Sequence, residues 1–194
     1  MNYKEYLKVF EGILTSSNPS APYNNPEYVD YTRLNLSRMN RWMKTMQLNK
    51  KLVDMLKGNN ERQHWIIITE PWCGDAAHIL PFLSRLAEVN PLITYDLQLR
   101  DTAPFLIESY LTNGIKSIPR LIIRNEPGND LFTWGARPDG AQQLMESLKA
   151  SNTDFDTIKI QLQNWYNHDK GASLQQELIE AFNRTSKQPT ILVE

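Results

Sequence analysis

Trp65-Ile66-Ile67-Ile68-Thr69 is the stretch that most restricts what this chain can become. It is short, apolar and rich in β-branched residues, which are stiff at χ1 and favour a pleated backbone. A strand with no polar alternation must be covered on both faces. The flanking segments supply what such a strand needs. Residues 75–89 read as a helix, and Leu92 to Leu99 alternate, with Ile93, Tyr95, Leu97 and Leu99 on one side. Asp101 or Thr102 is placed to cap a further helix that would stop at Asn113-Gly114. Leu121-Ile122-Ile123 and Leu131-Phe132-Thr133-Trp134 read as two strands joined across Pro127-Gly128-Asn129-Asp130. Another helix begins near Asp139. The order β-α-β-α-β-β-α implies an α/β fold, a mixed β-sheet flanked by helices.

Helical patterns bracket this core, giving three zones: 1–60, 61–150 and 151–194. In the first, Tyr3, Tyr6, Leu7, Phe10 and Leu14 share one stripe, as do Tyr28, Tyr31, Leu34, Trp42, Met43 and Met46. Both stripes read as core. Residues 17–26, rich in Pro, Ser and Asn, form a loop between them, and Gly58 ends the zone. In the last zone Thr153 and Asp156 resemble a capping pair before Phe155, Ile158, Leu162 and Trp165. Leu174, Leu178 and Phe182 mark one more helix, and Pro189 to Glu194 read as an edge strand or a frayed tail.

The 194 residues are 41% hydrophobic and 22% charged, with a formal net charge of −1. That balance gives no electrostatic ground for nucleic acid or an acidic membrane surface as a partner. No run approaches the roughly 20 apolar residues that span a bilayer, and the start of the chain does not read as a secretory signal. With a single cysteine, the chain is read as cytoplasmic.

That cysteine, Cys73, stands in Trp72-Cys73-Gly74-Asp75-Ala76, between the apolar strand and a helix. The first N–H groups of a helix lack intrahelical partners, and the helix dipole favours an anion there. Asp75 opposes a thiolate if its carboxylate lies within about 4–6 Å, so the thiolate is expected to be favoured only mildly. One cysteine closes no internal disulfide. Three scattered histidines with one cysteine make no metal-ligand pattern. Five residues along a helix, His78 points away from Cys73 and reads as packing or surface. Glu70 reads as a solvated loop acid.

Residues 62–150 resemble thioredoxin. The resemblance rests on the strand entering Trp72-Cys73-Gly74, on Pro81 in the helix that follows, on Ser117-Ile118-Pro119, and on the hairpin after it with Gly135 and a closing helix. A bacterial thioredoxin-like group with Trp-Cys-Gly-Asp-Ala, Ser-Ile-Pro and Trp-Gly-x-Arg-Pro is similar still more closely. Those motifs stand here at Trp72–Ala76, Ser117–Pro119 and Trp134–Pro138. The departures are as specific. Ala76 occupies the place of the resolving cysteine, Asp75 that of the motif's proline, and Ile67 that of the buried acid.

The resemblance implies a thioredoxin-like fold with N-terminal and C-terminal helical extensions and a cis peptide before Pro119. It makes Cys73 the nucleophile of a monothiol exchange with a thiol- or disulfide-bearing protein or a small thiol. Trp72, Gly74, Asp75, Ile118, Pro119 and Arg120 would form the substrate groove. Arg120 or Arg137 would face an anionic group, or else pair with surface acids. No cofactor is implied beyond glutathione or another low-molecular-weight thiol as reductant. The alternative is a non-catalytic thioredoxin-fold binding module. A third reading, a carrier sharing an iron–sulfur cluster with glutathione between two subunits, predicts visible absorbance.

Overall fold

The all-apolar run becomes β1 (Gln63–Thr69), an interior strand, in a computed structural model that describes residues 1–185. Its neighbours are β2 (Ile93–Leu99), which runs parallel, and β3 (Arg120–Asn125), which runs antiparallel. A tight turn joins β3 to β4 (Asp130–Gly135), giving the order β2-β1-β3-β4. Trp65, Ile67 and Ile68 on β1 and Leu121, Ile122 and Ile123 on β3 are all buried. At roughly 1.5–3 kcal/mol for each large apolar side chain, this double-sided burial is a main driving term.

The helix α4 (Gly74–Ala87) follows β1 and is buried nearly all round, despite Pro81 inside it. It lies between β1 and β2 on one side and α2 (Pro26–Thr45) on another. That position explains why its sequence has no polar face. The helix α1 (Tyr3–Thr15) packs on α2 and buries Tyr3, Tyr6 and Phe10, three members of its predicted stripe. Leu174 and Leu178 are buried on α7 (Ala172–Thr185), which meets β4 and α3 (Lys50–Lys57). The helices α5 (Asp139–Ala150) and α6 (Phe155–Asp169) pack on each other. Among the described residues, no helix is long and apolar enough to cross a membrane.

Four expectations need correction. The long helical stretch is broken at 46–49, where Asn49 caps α3 by accepting from the N–H groups of Lys51 and Leu52. The buried face of α2 is Thr32, Asn35, Met39 and Trp42, so Tyr28 and Leu34 are exposed rather than core. Asn35 is tolerated on that face beside Met39 and Trp42 because its buried amide has a backbone partner. No α-helix forms between Asp101 and Gly114. Phe105 takes a left-handed backbone (φ 55°), and only a 3-10 turn at Leu106–Ser109 follows. At α6 the cap is Asp154, which accepts from the N–H of Thr157, not Thr153 with Asp156. The predicted strand or tail at 189–194 lies outside the described residues.

Candidate functional site

The backbone reverses from β1 into α4 through Glu70-Pro71-Trp72, closed by the Cys73 N–H donating to the Glu70 carbonyl at 3.0 Å. Cys73 is the N-cap of α4, and its sulfur accepts from the N–H of Ala76 at 3.5 Å. From the far side of the chain comes Ile118, whose carbonyl accepts the thiol hydrogen at 3.4 Å, and the Ile118–Pro119 peptide is cis, as the resemblance implied. Gly135 underlies this loop. A Cβ there would sit 2.2 Å from the Pro119 carbonyl oxygen, and its φ of +124° suits glycine alone.

The electrostatics of the thiol correct the sequence-based expectation. Cys73 is only 6% exposed. Burial, with Asp75 as a second cause, pushes its pKa up to about 12, while the Ala76 N–H and Arg137 pull the other way. Desolvation outweighs the helix terminus here, because the thiol is neutral and the thiolate is not. The bond to Ile118 favours the same state, since only the thiol can donate. Cys73 rests as a thiol.

Asp75 neither caps the helix nor points to solvent. Its carboxylate accepts from Arg137 at 2.5 Å and 3.2 Å and from the Tyr166 hydroxyl at 2.6 Å. Arg137, expected at a ligand or a surface acid, is therefore tied to the acid inside the motif. Tyr166 stacks on His78 with ring centroids 4.3 Å apart. The Nδ1 of His78 accepts from the Trp42 indole N–H at 2.9 Å, so its Nε2 carries the proton and donates to Gln163 at 3.2 Å. Burial lowers the His78 pKa to about 3, consistent with a neutral, packed imidazole. Glu70 is corrected outright. It is buried, its carboxylate accepts from the Asp101 N–H at 3.0 Å, and burial raises its pKa. The inward turn that presents Cys73 carries Glu70 into the interior with it.

A cavity of about 880 Å³ opens above the thiol, lined by Trp72, Cys73, Gly74, Asp75 and Ile118 on the core side. Trp72 is half-buried under the Arg100 guanidinium, 4.7 Å from its ring, with Tyr28 edge-on at 6.1 Å. Pro119 is buried and does not line the space. Arg120, like Pro119, is off the expected groove. It donates to the Gly135 carbonyl at 3.1 Å and to Thr133 at 2.7 Å, across the hairpin and off the cavity. At the first position of β3 its side chain lies along β4, so the strand pairing claims it.

The opposite wall was not foreseen. It comes from α2 and α6, through Tyr28, Tyr31, Arg38, Phe155, Lys159 and Tyr166. Asn35 anchors α2 to the thiol loop, its amide donating to the Pro71 carbonyl at 2.9 Å while its Oδ1 accepts from Arg38 at 2.8 Å. Asn35 had a usable signal, a polar residue in register with Met39 and Trp42 on the buried stripe. Arg38 and Tyr166 had none, because their partners are distant in the chain.

Comparison with known proteins agrees with this architecture. A family model described as thioredoxin matches residues 23–149. No curated protein matches the sequence. Among solved structures, an HIV epitope scaffold is similar at 15% identity and a TM-score of 0.55, covering 94% of this chain and 98% of its own. A protein of unknown function from Pseudomonas aeruginosa is similar at 16% identity and a TM-score of 0.50, covering 89% of this chain and 99% of its own. At such identities the likeness is one of fold.

Proposed function

This chain belongs to the thioredoxin family, and on that premise we propose that it is a single-thiol capture protein, taking a disulfide-bearing ligand into the cavity and joining one half of it to Cys73 in a mixed disulfide. The observation that carries this reading is the position of the sulfur, on the cavity wall at the amino end of α4 and bonded to the Ile118 carbonyl. In the capture step Cys73 loses its proton to water and its thiolate attacks one sulfur of the ligand disulfide. A new S–S bond forms, the ligand's own S–S bond breaks, and the departing half leaves as a thiolate. With Ala76 in place of a second cysteine, release requires an external thiol. It attacks the ligand sulfur, and Cys73 departs. A cytoplasmic setting, where such thiols are abundant, suits the cycle.

The raised thiol pKa shapes both directions. At pH 7 a thiol of pKa about 12 is ionised in about one molecule in 100,000, so attack is slow. A high-pKa sulfur is also a poor leaving group, so the adduct is long-lived. The test is to treat the native protein with a small disulfide, identify the Cys73 adduct by mass, and follow its reduction by a fixed concentration of external thiol. The adduct is expected to survive at least about tenfold longer on the native protein than on the urea-unfolded chain. An adduct reduced equally fast in both, or none on the native protein, overturns the reading.

The same pKa favours a second reading, a binding module in which the thiol is only part of the floor. In that case Cys73→Ser retains ligand in the cavity, whereas capture requires the sulfur.

A further inference from the structure

Five cations line the cavity: Arg38, Arg100, Lys116, Arg137 and Lys159. Four have acidic partners: Arg100 has Asp101, Lys116 has Glu108, Arg137 has Asp75 and Lys159 has Asp156. Arg38 has no carboxylate within ion-pair distance among the described residues. Its Nη1 donates to Asn35, its guanidinium lies 5.6 Å from the Tyr31 ring, and its Nε is buried with no hydrogen-bond partner. A buried donor without an acceptor is costly, and more so on a charged group. Burial lowers its pKa, while Tyr31 and, from farther off, the Asp75 carboxylate act to raise it. The Nη1 atom sits 3.7 Å from where a Cβ on Gly74 would be, so the guanidinium overlooks the residue next to Cys73.

We infer that Arg38 is the anion-binding position of the cavity, and that the captured ligand is a small disulfide carrying a carboxylate. The inference rests on the reading of the cavity as a thiol-ligand site and adds the ligand's charge, size and point of attachment. A planar guanidinium matches a carboxylate with paired N–H donors, and such a contact would supply the carboxylate that no ion pair gives Arg38. The volume, about 880 Å³, falls in the range of small-molecule sites. Tyr28, Tyr31 and Trp72 provide apolar cover for the ligand's carbon and sulfur between its two attachment points. Arg38 belongs to α2, so the handle for the ligand and the reacting sulfur are supplied by different parts of the fold.

Two probes of similar size test the assignment at low ionic strength. Dithiodipropionate carries carboxylates and hydroxyethyl disulfide is neutral. The rate of Cys73 adduct formation, followed by mass, is expected to be about tenfold higher for the anionic probe. Arg38→Gln should bring the ratio of the two rates to about one, Arg38→Lys should keep part of the preference, and Arg33→Gln, on the exposed side of the same helix, should leave the ratio as it is. A second arm removes the sulfur chemistry. In a Cys73→Ser background, methylthiopropionate binding is followed by tryptophan fluorescence against its neutral alcohol analogue. The same preference, lost with Arg38→Gln, is expected. If no adduct forms with either disulfide while the binding preference persists, capture fails and the Arg38 assignment stands. Equal rates and equal affinities for charged and neutral probes, or a preference untouched by Arg38→Gln, overturn the assignment.

Discussion

The two walls of the cavity are held by different physics. On the core wall, Cys73 and Ile118 are each 6% exposed and are fixed by strands, by the α4 cap and by backbone packed against backbone at Gly135 and Pro119. On the helical wall, Tyr28 is 36% exposed and Phe155 66%, and the residues are placed by side-chain hydrogen bonds and rings spanning long sequence separations. The contrast assigns the roles. The rigid wall sets where the sulfur is and keeps it protonated, while the polar, aromatic wall sets what can approach it.

Breaking the core wall should have the largest effect. Gly135→Ala drives a Cβ to within 2.2 Å of the Pro119 carbonyl at a φ of +124°. A loss on the order of 4 kcal/mol is expected, measured by urea unfolding. Asp75→Asn breaks the joint between the walls. It leaves Arg137 largely buried and uncompensated and takes a strong acceptor from Tyr166, for an expected loss of about 3 kcal/mol. The same change removes the like charge beside the thiol, so alkylation of Cys73 should become faster at a given pH even as stability falls. That divergence separates an electrostatic effect on the sulfur from a general loosening.

The packing of α4 against the helical wall, through His78, can be probed by pH. Because His78 has a folded pKa near 3 against an ordinary 6.5, the unfolded chain takes up the proton first as the pH falls. Its contribution to stability is therefore complete above about pH 6.5 and is lost progressively between 6.5 and 3. At pH 4.5 the protein should lose about 2 kcal/mol relative to pH 7 through this group. His78→Gln keeps an acceptor for Trp42 and should flatten that part of the unfolding profile. The smallest effect is expected from Asn35→Ala, about 1–2 kcal/mol, through the stranded Pro71 carbonyl and Arg38 N–H.

How far each wall could be read from sequence follows the same division. The core wall is local in pattern. The unbroken apolar run of β1, the turn between β3 and β4, and Cys73 and Pro119 each carry their signal in a few neighbouring residues. The helical wall is not local. Tyr166 and Asp75 lie far apart in the chain, and neither flank shows that one will close on the other. The misread face of α2 follows from counting Tyr and Leu as core and Asn as surface. The buried face instead carries an amide with two partners beside Met39 and Trp42. The protonation state of Cys73 was misjudged for a related reason. The helix terminus is visible in the motif, but the burial that outweighs it is a property of the assembled fold.

The most direct test of the central claim, that Cys73 rests as a neutral thiol on the floor of a ligand cavity, is the pH dependence of its alkylation by a small neutral reagent. The account predicts a rate far below that of free cysteine at pH 7, rising about tenfold per pH unit with no plateau up to pH 10. A rate above that of free cysteine, levelling off near neutral pH, would contradict it.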